Sequence, residues 1–217
     1  MPWGSPPGVN ENHFTGTELM RMLKHGQFPI FLVNVIALLG FSLLYIQRQN
    51  YEFLIYVGVI VFFLCLILLT NNRVNFPNNV LWGLTAWSLL HMAGGGLYFG
   101  GTKLYGIMLV PLVGDPYYIF KYDQLVHIVG FGVATLAMYA LLKPLLREDR
   151  RTWTALSIVV IMAGLGVGAL NEIIEFAATV LVPETGVGGY ENTALDLVAD
   201  LIGALGAMGY IRFHEKG

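Results

Sequence analysis

Six predominantly apolar runs of about twenty residues or more follow one another along the chain, at 28–46, 51–70, 79–99, 120–142, 153–182 and 194–213. A bilayer core about 30 Å thick is crossed by roughly 20 helical residues. The pattern therefore predicts an all-α fold, a polytopic membrane protein with a six-helix transmembrane bundle. The fifth run exceeds one crossing, so it should tilt, kink near Gly164, Gly166 and Gly168, or project beyond the lipid. Residues 1–26 are polar, contain Pro and Gly, and lack the apolar segment of a cleaved signal. Within them Thr15 and Glu18 are spaced as a capping box ahead of Leu19, Met20, Met22 and Leu23, with Arg21 and Lys24 between and Gly26 as the stop. That segment predicts a short interfacial helix. Two parts are expected: the polar leader 1–26 and the membrane domain 27–217.

Composition supports this reading. Of 217 residues, 56% are hydrophobic and 12% charged, with mean hydropathy +0.64. These values exclude a disordered chain, and a formal net charge of −2 excludes a basic nucleic-acid binder. The single cysteine, Cys65, lies inside an apolar run and supplies neither a disulfide framework nor a CxxC metal site. The expected partner is the lipid bilayer; nothing in the pattern specifies an oligomeric state. Nine of the twelve Lys and Arg residues fall in the leader, the second and fourth loops and the tail; Arg48, Lys103 and Lys121 occupy the alternate loops. Cytoplasmic loops retain positive charge, so both termini are expected in the cytoplasm. The segment 100–121, with Tyr105, Pro111, Pro116, Tyr117 and Tyr118, then lies outside and is too apolar for a solvated linker. A re-entrant or interfacial cap is expected there.

Several ionisable residues interrupt the apolar runs. The third carries His91, the fourth begins with Asp123 and His127, the fifth carries Asn171, Glu172 and Glu175, and the sixth carries Asp196 and Asp200. A charge at the centre of a bilayer costs about 2.5–3.5 kcal/mol on the insertion scale, so such residues usually face the bundle interior. Alternating span direction places all of them in one outward layer. Asp123 with His127, Asp196 with Asp200 and Asn171 with Glu175 are spaced i,i+4, and Glu172 with Glu175 i,i+3, so each pair can face one centre. Small residues continue the same faces: Gly130 and Ala134, Gly203 and Ala207, Gly164 and Gly168. So many carboxylates require either bound protons or a cation among them. Histidine and carboxylate ligands from several helices suit a divalent metal such as Zn, Mn or Fe. The candidate ligands are Asp123, His127, Glu172, Glu175, Asp196, Asp200 and His91. Plainer readings exist for some: Asp123 and Asp196 as acids near helix starts, His91 as a hydrogen-bonded core histidine.

The run Asp123-Gln-Leu-Val-His127, then Glu172-Ile-Ile-Glu175, then Asp196-Leu-Val-Ala-Asp200-Leu-Ile-Gly-Ala204, resembles the VanZ-like membrane proteins, and more closely the YjdF-type bacterial inner-membrane proteins. The likeness spans about residues 119–210. Glu175 and Asp200 stand where VanZ-like proteins usually carry Gln and Asn, which makes this site more acidic. The resemblance implies a polytopic envelope protein without naming a substrate.

Three functions fit these features. One is a metal site acting on a lipid or lipid-linked envelope substrate, the metal polarising a carbonyl or phosphoryl oxygen or activating water. Another is an accessory membrane subunit whose polar cluster fixes helix register. The third is a cation- or proton-coupled transporter, against which the inward halves of the last three spans are nearly devoid of ionisable groups.

Overall fold

The computed structural model describes residues 22–147 and 152–215. The expected capping box at Thr15 and Glu18 lies outside the described residues. Six long helices run α1 (Phe28–Gln47), α2 (Tyr51–Val74), α3 (Asn78–Gly96), α4 (Tyr122–Leu142), α5 (Trp153–Leu181) and α6 (Tyr190–Glu215). Between α3 and α4 lie two antiparallel ribbons, β1 (Tyr98–Phe99) with β2 (Thr102–Lys103) and β3 (Met108–Val113) with β4 (Ile119–Lys121), and the 3₁₀ turn Leu104–Gly106. The apolar segment 100–121 thus folds mainly as ribbon.

Helices α1, α2, α4, α5 and α6 are long and apolar enough to cross a membrane. Helix α3 falls short of that measure, so length and composition support five of the six expected spans. Its 19 residues include Asn78, Asn79, Thr85, Ser88 and His91, and the last three are buried. They are buried because α3 packs against α1 and α4. Burial elsewhere is inverted relative to a water-soluble domain. Leu39, Leu43, Leu69, Phe176 and Val180 are exposed, whereas Asn34, Glu52, Thr85, His127, Asp196 and Asp200 are buried. An apolar belt around a polar interior is stable in lipid, where each backbone helix also satisfies its own hydrogen bonds.

Helix α5 runs unbroken through Gly164, Gly166 and Gly168. Gly166 has open space beside it, while a Cβ on Gly164 would meet Thr135 and one on Gly168 would meet the Asp200 carboxylate. Helix α4 packs most extensively against α6. A Cβ on Gly203 would strike the Ile128 carbonyl, and one on Gly132 would lie 3.2 Å from the Gly203 carbonyl oxygen. The two backbones therefore touch, which draws their flanking side chains together. Helix α6 begins at Tyr190, so Asp196 lies well inside it and is not its cap.

Candidate metal centre

His127, on α4, is the hub of the polar cluster. Its Nδ1 lies 2.8 Å from Asp200 Oδ1 on α6, and both residues are buried. An ionised carboxylate only accepts, so opposite ionised Asp200 it is Nδ1 that carries the shared proton, and in the neutral imidazole Nε2 then keeps its lone pair. Nε2 lies 3.9 Å from Asp123 Oδ1, one turn earlier on α4. Ligand atoms of His127, Glu172 and Glu175 lie within 4.8 Å of one another, and so do those of Asp123, His127 and Asp196. The imidazole is common to both groups.

Amides hold the acids in place. Gln124 Nε2 donates to Asp196 Oδ1 at 3.2 Å, and its own Oε1 accepts from the Lys121 backbone N–H at 2.7 Å. Asn192 Nδ2 donates to Asp196 Oδ2 at 2.5 Å and lies 3.3 Å from Asp123 Oδ2. Asn171 Nδ2 donates to Glu175 Oε1 at 2.8 Å. Among the described residues Asp200 Oδ2 has no hydrogen-bond partner; it is buried in the space that Gly168 leaves by lacking a Cβ. Such an orphaned oxygen costs about 1–3 kcal/mol unless a further group reaches it.

His91 stands apart from both ligand groups. Its Nδ1 shares a hydrogen bond of 2.5 Å with the Tyr105 hydroxyl. The rings of Phe53, Tyr56, Trp87 and Tyr105 have centroids 5.4–5.8 Å from its own. The structure thus gathers Asp123, His127, Glu172, Glu175, Asp196 and Asp200, and seats His91 in an aromatic box beside them. Burial pushes the Tyr105 phenol well above the ordinary tyrosine range, and the Asp123 and Glu175 carboxylates push it further.

A cleft of about 50 Å³ joins box and cluster, lined by Tyr56, His91, Tyr105, Asp123, Glu175 and Asn192 among others. That is room for a few waters. At its rim Glu52, buried at the start of α2, accepts from the Gly186 backbone N–H at 2.7 Å and faces Lys103 Nζ at 3.7 Å. Sequence spacing did not single out Glu52, Tyr56 or Gln124. Glu52 resembles an ordinary acid in a first helical turn, whereas Gln124 lies inside the Asp123 to His127 turn and its position alone was a signal.

No curated protein and no solved structure matches the chain. A family model described as predicted membrane protein (DUF2238) matches residues 28–217, reaching through α1–α3 as well as the polar half. The chain is a member of that membrane protein family.

Proposed function

We propose that this is a six-span inner-membrane protein, both termini cytoplasmic, whose outward-facing site binds one divalent transition metal and acts on a lipid or lipid-linked substrate. In this reading residues 27–217 form the membrane domain, and α3 is the sixth crossing, more polar than the others because its neighbours shield it. The observation that carries the proposal is the Asp200–His127 pair. A carboxylate bonded to Nδ1 fixes the tautomer and aims Nε2 outward, as metal-binding imidazoles are generally supported. Glu172 and Glu175 from α5 in one group, and Asp123 and Asp196 in the other, each bring oxygen donors within 4.8 Å of an imidazole nitrogen of His127. Asp200 then serves as the orienting group and not as a direct ligand, and His91 is outside the coordination set.

The metal would lower the pKa of bound water or polarise a substrate oxygen. The protein's own part is to supply fixed negative charge and a hydrogen-bonded imidazole in a site screened from bulk water. The cleft is too small for a lipid headgroup. Substrate entry therefore requires the rim made by Glu52, Lys103 and Gly186 to open.

Cobalt titration of the detergent-solubilised protein tests this. Visible d–d absorption that saturates at one equivalent, and that His127→Ala removes, supports the reading. Absorption identical in wild type and His127→Ala excludes these ligands.

A further inference from the structure

The ribbon β3–β4 has no polar face. Every position of β3 from Met108 to Val113 is apolar, so neither face of this strand presents a polar side chain. All ten residues from Leu109 to Tyr118 are exposed. Between Lys103 and Lys121 the only charged residue is Asp115, in the connecting turn. An antiparallel ribbon that covers a core alternates apolar and polar positions. Among the described residues the stretch from Leu109 to Tyr118 covers nothing with either face, and its exposed apolar residues form one apolar surface.

We infer that the β3–β4 ribbon is a membrane-contacting blade that lies in the headgroup and upper acyl region of the leaflet on the site's side. Chain continuity places it there. β4 ends at Lys121, and α4, an apolar membrane-length helix, begins at Tyr122, whose backbone N–H is held by the Ile107 carbonyl at 2.9 Å. The base of the ribbon is thus fixed where α4 enters the lipid. Its side chains suit that depth: Tyr117 and Tyr118 are exposed, and Lys121 Nζ lies 6.0 Å from the Tyr118 ring centroid. Tyrosine and lysine concentrate at the boundary between acyl chains and water. The backbone sets the limit of insertion. A two-stranded ribbon has two open edges, and here the register shifts between Met108 and Val113, so unpaired N–H and C=O groups exclude it from the hydrocarbon centre. The inference stands whether or not the site binds metal. Its structural consequence is that lipid contact steadies the cleft, because Tyr105 precedes the ribbon and Asp123 follows it.

The test is depth-resolved fluorescence of a single label in nanodiscs of phosphatidylethanolamine and phosphatidylglycerol, one copy per disc. An environment-sensitive dye is placed on Leu112→Cys in a Cys65→Ala background. Native Cys65, exposed on α2, serves as the lipid reference, and Glu184→Cys on the α5–α6 loop as the aqueous reference. Lipid-borne nitroxide in the upper acyl chain should remove most of the Leu112 emission, and aqueous iodide should remove less than at Glu184. Iodide quenching equal to that at Glu184, with little effect of the nitroxide lipid, overturns the inference. So does emission shielded from both quenchers that changes when two copies share a disc, which would mark a protein interface. Val110→Cys repeats the measurement, so a poorly folded Leu112→Cys does not decide the outcome.

Discussion

His127 and Asp200 share a 2.8 Å hydrogen bond across the α4–α6 contact, three residues along α6 from the point where Gly203 abuts the Ile128 carbonyl. The backbone approach and the side-chain bond depend on one another. Replacing Asp200 by Ala leaves a buried Nδ1–H without its acceptor and should cost about 1–3 kcal/mol. Asp200→Asn presents its amide oxygen to the same proton and should recover much of that loss. Thermal unfolding in detergent measures both; equal losses would mean that the hydrogen bond is not what matters there.

Close backbone contact makes a second, graded prediction. Gly203→Ala puts a methyl group against backbone atoms of Ile128 and Gly132, which cannot rotate away. Overpacking of this kind costs about 1–3 kcal/mol. Gly166→Ala meets nothing within 4 Å and should leave the unfolding temperature nearly unchanged. Comparable losses for the two variants would count against the α4–α6 crossing described above.

Tyr105 gives the pH dependence. Its phenol titrates above the ordinary tyrosine value of 10.0 when folded, and near that value when unfolded. Below that pH both states keep the proton, and the group contributes no slope. Above it only the unfolded state ionises, so stability falls as pH rises, by at most about 1.4 kcal/mol per pH unit. Tyr105→Phe keeps the ring against Gly94 but loses the hydrogen bond to His91. Melting curves across the alkaline range should therefore be flatter for the variant, though lower at neutral pH by about 0.5–1.5 kcal/mol.

The rim of the cleft is tied by Glu52. Glu52→Ala removes the acceptor of the Gly186 N–H and should expose the α5–α6 loop to a glutamate-specific protease cutting at Glu184. Lys103→Ala should have a much smaller effect, because its pairing at 3.7 Å is long and the lysine side chain is 31% exposed. Equal cleavage rates in wild type and Glu52→Ala would show that the tie does not hold the loop.

Apolar runs made the helices legible in the sequence, because a helix in lipid advertises itself over about twenty residues. Its ends were less legible: α6 starts at Tyr190, four residues before the apolar run expected from hydropathy, since Glu191, Asn192 and Thr193 are polar residues recruited into the helix. The i,i+4 spacing placed Asp123 and His127 on one face. It could not pair His127 with Asp200, which depends on how closely α4 and α6 approach. Nor could it separate His91 from the acids, because the Tyr105 hydroxyl that engages it arrives from a loop. The six-crossing pattern depended on counting α3 by its apolar residues, although its buried polar positions lower its hydropathy.

The central claim is that His127 and the α5 carboxylates hold one metal ion while His91 does not. Elemental analysis of detergent-purified protein tests it most directly, comparing wild type with His127→Ala, Glu172→Ala and His91→Ala variants that elute as folded protein. The account predicts one equivalent of a divalent transition metal in wild type and His91→Ala, and strong depletion in the other two. Wild type without metal after purification in metal-supplemented buffer, or a content unaltered by His127→Ala and Glu172→Ala, would contradict it.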